Sequence, residues 1–461
     1  MSFAVRWDTD LIRRYDLAGP RYTSYPTAPQ FHAGIGPAEF RAALNASRDV
    51  ARPLSLYVHV PFCSSLCYYC GCNKVVTTDH GKSASYLDHL EKEARTVAAE
   101  LDRTSQSVEQ LHLGGGTPTF LGHAELRRLM DILRRNFRLR DDDQGDYSIE
   151  IDPRACDAET MRLLRELGFN RVSLGVQDID PAVQQAVNRV QPLAMTEAMV
   201  ATARATGFRS LNIDLIYGLP LQTEAGFART VEAIIALRPD RLSLFNYAHL
   251  PERFKAQRLI RDTDLPAPAA KLAMLQDSIA RLMQAGYRYI GMDHFALPED
   301  SLAQAQEAGG LHRNFQGYTT HAHCDLVGLG VSAISQVGDL YAQNNANLKA
   351  WEELVEARGL ATIKGLRAGF DDRLRRAVIQ RLICDFRLEF APLEEDFDIS
   401  FRSYFSNVLP ALQRMDRDGL LRLTEDGIEI LPAGRLLVRS VCMLFDRHLA
   451  EQSHRRFSRV I

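Results

Sequence analysis

The chain has 461 residues, 46% of them hydrophobic, with 55 basic and 58 acidic side chains. That length allows one large domain with one or two appendages and a sizeable core, and the near cancellation of charge excludes a global field that would attract nucleic acid or a membrane surface. The first residues lack an apolar signal core and no later apolar run is long enough to span a bilayer, so a cytoplasmic protein is expected.

Residues 1–50 contain Pro20-Arg-Tyr-Thr-Ser-Tyr-Pro26, rich in tyrosine and proline without clear periodicity, and are expected to form an irregular N-terminal arm. Alternation of short β-rich runs with helical stretches begins at Leu54–Val60, where Leu54, Leu56, Val58 and Val60 fall on one face. Directly after this first strand comes Pro61-Phe-Cys-Ser-Ser-Leu-Cys-Tyr-Tyr-Cys-Gly-Cys-Asn-Lys74. Four of the eight cysteines, Cys63, Cys67, Cys70 and Cys72, crowd into ten residues here, whereas Cys156, Cys324, Cys384 and Cys442 are scattered singly. A secreted disulfide framework would spread its pairs through the chain; the scattered four are expected to be small buried hydrophobes.

The spacing C-x3-C-x2-C lets three thiolates wrap three corners of one iron–sulfur cubane. Cys72 follows too closely behind Cys70 to reach the fourth corner comfortably, which leaves one iron open for chemistry. Two other readings compete. A structural zinc site would use four thiolates, usually as two pairs from separated segments, and Cys67-Tyr-Tyr-Cys70 alone would suit a dithiol redox pair but leaves Cys63 idle.

The next helix carries Leu87, Leu90, Ala94, Val97 and Leu101 at steps of three and four, the stripe of a helix packed on a sheet. Strands are predicted at Val108–Leu113, Tyr147–Asp152, Arg171–Val176, Leu211–Tyr217 and Arg241–Tyr247, each followed by a helical segment such as Thr223–Leu237, with one more strand at Tyr287–Met292. Repeated strand-then-helix order implies parallel strands with right-handed crossovers, which favours a partial or complete TIM-like (β/α) barrel over an open doubly wound sheet, a choice that rests partly on the family resemblance; in a barrel, ligands sit where the strands end. Gly114-Gly-Gly-Thr-Pro-Thr119 follows the second strand, and its lack of side chains lets backbone approach a ligand closely. Later strand ends present Glu150, Gln177, Asp214 and Ala248, with Arg189 following in Val-Asn-Arg. A single polar residue at a strand end is usually solvated or a cap; several on successive strands converge on one mouth. After about Ala368 the pattern turns helical, broken at Leu420–Ile430 by Asp426-Gly427, a tight-hairpin signal. The expected division is therefore an arm at 1–50, a barrel at 51–365 and a small winged-helix-like, mainly helical lid at 366–461.

The cysteine spacing is that of the radical SAM superfamily. The order and wording of the segments resemble the oxygen-independent coproporphyrinogen III oxidases, through Arg21-Tyr-Thr-Ser-Tyr-Pro26, Tyr57-Val-His-Val-Pro-Phe62, Asn314-Phe-Gln-Gly-Tyr-Thr319, Gly328-Leu-Gly-Val-Ser-Ala-Ile-Ser335 and Arg456-Phe-Ser-Arg-Val-Ile461. The resemblance implies a radical SAM barrel in which Cys63, Cys67 and Cys70 hold a 4Fe-4S cluster and S-adenosylmethionine chelates the open iron. It implies two molecules of that cofactor, the first touching Tyr57, Gly115, Glu150 and Ile334, the second Tyr69, Gly116, Thr117, Gln177, Arg189, Asp214 and Ala248. Tyr69 stands where related enzymes often have phenylalanine, a change that keeps the ring and adds a hydroxyl. Phe315, Gln316 and Cys72 are weaker candidates for the same neighbourhood.

The implied reaction turns the ring A and ring B propionates of coproporphyrinogen III into vinyl groups through 5′-deoxyadenosyl radicals, giving protoporphyrinogen IX in haem biosynthesis. An electron donor for the cluster is implied, and a monomer is expected. The substrate's carboxylates call for bidentate arginines, for which Arg21 and Arg313 are named as guesses. Two rivals remain. A haem chaperone on the same barrel would lack the counterpart of Cys72 and would carry H-N-x-x-Y-W where this chain has Arg313-Asn-Phe-Gln-Gly-Tyr-Thr319. An RNA-modifying enzyme would use the tail as a nucleic-acid module, but Arg435, Arg439 and Arg447 are interspersed with acids rather than gathered on a basic face.

Overall fold

The computed structural model describes residues 4–449, so the motif at 456–461 lies outside the described residues. The chain folds into two compact units, each assembled from separated stretches: His32–Arg281 with His323–Arg367 in one, and the rest of the described chain in the other. No helix among the described residues is long and apolar enough to cross a membrane.

In the first unit six strands, β1 (Leu54–Val60), β2 (Ser107–Gly115), β3 (Asp146–Ile151), β4 (Arg171–Gln177), β5 (Ser210–Tyr217) and β6 (Arg241–Asn246), lie side by side in chain order, every neighbouring pair parallel. Between them run α1 (Gly81–Ala98), α2 (His123–Asn136), α3 (Ala158–Glu166), α4 (Leu193–Ala205) and α5 (Glu224–Leu237). A parallel neighbour demands a long crossover, and these helices supply it. On the far side of β1 the strand β7 (Asp325–Leu329) adds in parallel, then β8 (Ile334–Val337), β9 (Leu340–Asn344) and β10 (Thr362–Arg367) turn antiparallel. Within this unit the pairing is an open path from β6 to β10, so the barrel is partial.

The pattern that builds this sheet also polarises it. Tyr147, Ile149 and Ile151 on β3, Val172, Leu174 and Val176 on β4, and Leu211, Ile213 and Leu215 on β5 are buried, while the residues between them are only half-buried. The buried set shares one face because successive side chains alternate, and the apolar stripes of the crossover helices, such as Leu87, Leu90 and Ala94, pack there with no exposed surface. Each fully buried Leu, Ile or Val contributes roughly 1.5–3 kcal/mol. Strands of a parallel sheet are ordinarily apolar on both faces. Here the second face carries Ser148, Glu150, Ser173, Gln177, Asn212 and Asp214, so the helix-side packing must hold a sheet whose other side is polar. Helix starts are secured locally, with the Asp157 carboxylate accepting from Thr160 N at 2.7 Å and the Thr223 hydroxyl from Gly226 N at 3.0 Å.

In the other unit two short hairpins, Arg288–Gly291 with His294–Ala296 and His312–Asn314 with Gly317–Thr319, accompany a long helix, Phe370–Asp385. A three-stranded sheet places Gly427–Ile430 between Arg387–Glu389 and Leu421–Leu423. Its turn closes at the expected Asp426-Gly427, with Thr424 N donating to Gly427 O at 3.0 Å. Within the first fifty residues, where no periodicity was legible, helices form at Thr9–Tyr15 and Pro37–Asp49. Of the scattered cysteines, Cys384 and Cys442 are buried, whereas Cys156 and Cys324 are only partly so. Arg435 and Arg439 are buried rather than displayed, and Arg447 is paired with Asp371 and Asp372. None of the three contributes to an open basic face.

Candidate functional site

The cysteine loop leaves the sheet at Pro61 and is tied back by its own ends. Phe62–Cys63 pairs in parallel with Val75–Val76, and Val75 N donates to Pro61 O at 2.7 Å. The loop is also hung on the end of β2, where Gly116 N donates to Val60 O and Thr117 N to Phe62 O, both at 2.8 Å. A Cβ on Gly116 would lie 2.7 Å from Phe62 O and 2.8 Å from Pro61 O, so only glycine permits this crossing of two backbones. All four cysteines of the loop are free thiols. Burial first, then the charges of Cys70 and Cys67, push the Cys63 thiol up to about 11, against a hydrogen bond from the Thr117 hydroxyl at 3.5 Å. Hydrogen bonding between Cys72 and Cys70 pulls the Cys70 thiol down and pushes the Cys72 thiol up. Cys67 faces two guanidinium groups, Arg154 Nη2 at 3.2 Å and Arg189 Nη1 at 3.5 Å.

Beside the loop, the polar face of β1–β3 forms a connected set. The Tyr57 hydroxyl lies 3.0 Å from His59 Nδ1, and His59 Nε2 lies 3.0 Å from Asn73 O. A carbonyl only accepts, so Nε2 carries the hydrogen and Nδ1 accepts from Tyr57. Burial lowers the pKa of His59 and favours this neutral form. The Tyr57 ring stacks on His112 at 5.9 Å, and His112 reaches Glu150 Oε1 at 3.2 Å. Gly115 N donates to Glu150 Oε2 at 3.2 Å. Burial opposes the charge of Glu150, but the His112 and Gly115 contacts outweigh it and hold the carboxyl below its usual range. Its side chain stays 45% open, an ionised group facing the concave side. Gly115 has φ 114°, and a Cβ there would meet the His59 ring at 2.6 Å.

A second set lies on β4–β6. Gln177 has φ 69°, and a Cβ added at Gly175 would lie 2.9 Å from Gln177 Nε2 and 3.0 Å from Arg189 Nη2. Gln177 Oε1 and Arg189 Nε are buried with no hydrogen-bond partner among the described residues. Such groups are costly unless something satisfies them, which marks a place built for a polar ligand. Asp214 accepts from Ser173 Oγ at 3.0 Å and Asn212 Nδ2 at 2.8 Å, while burial and the Glu150 charge push its carboxyl up. Gln257 Nε2 joins Tyr69 O at 2.9 Å and Ala248 O at 3.2 Å, drawing these two together. Tyr68 and Tyr69 pack on an apolar cluster of Val183, Val187, Leu219, Tyr247 and Ile260.

The geometry thus links Tyr57, Gly115 and Glu150 in one network, and Gln177 with Arg189 and Tyr69 with Ala248 in another. Ile334 opens β8, where Gly328 is required because a Cβ would meet Ile334 O at 2.6 Å. Arg21, Arg313, Phe315 and Gln316 belong to the other unit. There Arg21 pairs with Asp293, and Arg313 lies 4.7 Å above the Tyr318 ring, only 3% exposed. Sequence reasoning passed over His59, His112, Asp152, Arg154 and Gln257. The alternation His112-Leu-Gly and Ser148-Ile-Glu-Ile-Asp152 was the signal, since a parallel strand with one polar face must line something wet or liganded.

Residues 57–234 match the radical SAM superfamily, and residues 371–437 match the HemN C-terminal domain. The chain is 62% identical over 461 residues to the oxygen-independent coproporphyrinogen III oxidase of Pseudomonas aeruginosa, covering 100% of both chains. It is 51% identical over 458 residues to the enzyme of that name from Escherichia coli, covering 99% of each. A solved structure described as coproporphyrinogen III oxidase (HemN) from Escherichia coli, a radical SAM enzyme, superposes with a TM-score of 0.92 at 49% identity, covering 96% of this chain and 100% of that one.

Proposed function

This chain belongs to the oxygen-independent coproporphyrinogen III oxidases, and from that membership we propose how its own residues divide the reaction. The enzyme converts coproporphyrinogen III to protoporphyrinogen IX in haem biosynthesis, turning the propionates of rings A and B into vinyl groups with release of carbon dioxide. It is a radical SAM enzyme that uses a 4Fe-4S cluster and S-adenosylmethionine.

Cys63, Cys67 and Cys70 are the cluster ligands in this reading. The donor set fits: three free thiols in one loop influence one another electrostatically, and two guanidinium groups approach the sulfur of Cys67. Bound there, the cluster supplies the low-potential electron, and S-adenosylmethionine the 5′-deoxyadenosyl radical, that this chemistry requires. Tyr57, Gly115, Glu150 and Ile334 receive the first S-adenosylmethionine, where ionised Glu150 offers a charge-assisted acceptor to an ammonium or hydroxyl. Tyr69, Gly116, Thr117, Gln177, Arg189, Asp214 and Ala248 receive a second molecule, and the orphaned polar atoms of Gln177 and Arg189 support that placement. Tyr68 and Tyr69 pack on a buried apolar cluster, a surface suited to keeping water from the reaction. Cys72, two residues behind Cys70, is too close to it to reach the remaining corner and is left out of the ligand set. The protein works in the cytoplasm as a monomer with a low-potential one-electron donor, and takes no nucleic acid.

The observation that carries this reading is a loop of three free cysteines tied to the end of β2, where His112 and Gly115 N hold the Glu150 carboxyl below its usual range. Anaerobically reconstituted protein given coproporphyrinogen III, S-adenosylmethionine and reductant is expected to release carbon dioxide and form two vinyl groups. Absence of both would favour the haem chaperone. Cys63→Ala, Cys67→Ala and Cys70→Ala are expected to abolish iron binding and 5′-deoxyadenosine formation together. Equilibrium binding should count two S-adenosylmethionines per chain, reduced to one by Asp214→Ala; a count of one in the unaltered protein refutes the second site.

A further inference from the structure

We propose that Arg154 is a positioning residue that polarises one corner of the cluster, raising its reduction potential through Cys67. The inference rests on Cys67 being a cluster ligand and goes beyond it by assigning a role to a side chain outside the ligand loop and outside both cofactor sets.

Arg154 sits in the single turn Pro153–Ala155 that follows β3, and it is fixed on three sides. Asp152 takes its backbone N at 3.0 Å, its Nε at 3.0 Å through Oδ1, and its Nη2 at 2.7 Å through Oδ2. Nη1 donates to Asn188 O at 3.3 Å. The bidentate grip removes rotational freedom from the guanidinium, and the remaining direction of Nη2 is toward Cys67 Sγ at 3.2 Å. The same Asp152 Oδ2 accepts from Arg189 Nη1 at 2.8 Å, and that nitrogen lies 3.5 Å from the same sulfur.

Two cations and one carboxylate therefore converge on a single buried sulfur, leaving one net positive charge beside it. Like charges brought together away from water are costly unless an anion lies between them. Asp152 offsets one of the two cations, and a metal-bound thiolate at Cys67 would offset the other, which a neutral thiol would not. The other two corners differ. Cys63 receives the neutral Thr117 hydroxyl, while Cys70 has the single Lys74 ammonium beside it, which also donates to the Cys70 carbonyl at 3.1 Å, and donors from Cys72. Cys67 is the corner met by two guanidinium groups. One-electron reduction adds a negative charge to the cluster, and hydrogen bonds and cations at its sulfurs favour the reduced form. Arg189 shares the geometry but belongs to the expected second cofactor set, so Arg154 isolates the effect.

The experiment is an EPR-monitored redox titration of anaerobically reconstituted protein without S-adenosylmethionine, with iron and sulfide counted for each sample. Arg154→Gln with full iron is expected to show a more negative midpoint than the unaltered protein, and Arg154→Lys to fall between them. A midpoint unchanged in Arg154→Gln at full iron content overturns the inference while leaving the cluster assignment intact. Should Arg154→Gln fail to retain iron, reduced unaltered protein carrying [15N]arginine decides the matter. Pulsed EPR is expected to resolve guanidinium 15N coupling to the cluster, with one set lost in Arg154→Lys, and absence of any coupling overturns the proposal. Unaltered protein that takes up no iron would instead defeat the underlying cluster reading.

Discussion

Single residues decide the chemistry here through what their neighbours allow. Glu150 is ionised because His112 and Gly115 N repay its burial, so Glu150→Gln removes a charge-assisted contact worth about 1.5–3 kcal/mol. Equilibrium dialysis of S-adenosylmethionine should accordingly show at least about a tenfold loss of affinity in that variant. Asp152 illustrates the same balance with a measurable pH signature. Burial opposes its charge, and Arg154 with Arg189 outweighs that penalty, so its folded pKa lies below the ordinary carboxylate value. Its contribution to stability is fully present above the unfolded pKa of about 3.9 and is lost as pH falls through the folded value. Its side chain is 12% exposed, and removing one partner from a buried ionic cluster costs about 3–5 kcal/mol. Urea unfolding at neutral pH should show Asp152→Asn destabilised by that order, with a shallower decline toward acid than the unaltered protein.

At the scale of elements, the strands of the partial barrel carry two different codes on their two faces. Leu174 has no exposed surface on the helix side of β4, and Leu174→Ala is expected to cost about 2–5 kcal/mol in denaturant unfolding. Ser173, one position earlier, faces the other way and donates to Asp214. Ser173→Ala is expected to cost less than Leu174→Ala, about 0.5–1.5 kcal/mol for the lost hydrogen bond, while altering cofactor affinity. The glycine loop after β2 is a coupling between elements rather than a flexible hinge. Gly116→Ala is expected to displace the cysteine loop, read as a loss of iron after reconstitution with the far-UV circular dichroism unchanged.

Over the whole molecule, metal and fold are separable. The cysteine loop is closed by backbone pairing at Phe62–Cys63 with Val75–Val76 and by donors from Gly116 and Thr117, none of which involves a thiol. Chelated, iron-free protein is therefore expected to keep the circular dichroism of the reconstituted enzyme. Its melting temperature should rise on reconstitution, because the folded state alone offers the assembled ligand set. The two units are each built from discontinuous stretches, so chain order does not predict which segments share a core.

Local patterns determined the order of β1 to β6 with their crossover helices, the position of the cysteine loop and the hairpin at Asp426-Gly427, because period, thiol spacing and turn chemistry are carried by residues close together in the chain; β7 to β10 were not marked that way. The alternation was equally legible, but that its polar half lines a concave face was decided only by pairing β1 to β6 side by side. Likewise, nothing near Cys67 in sequence announces Arg154 and Arg189. They reach its sulfur across 87 and 122 positions, and convergence over such separations is a property of the folded sheet, where charge, burial and reach are settled together.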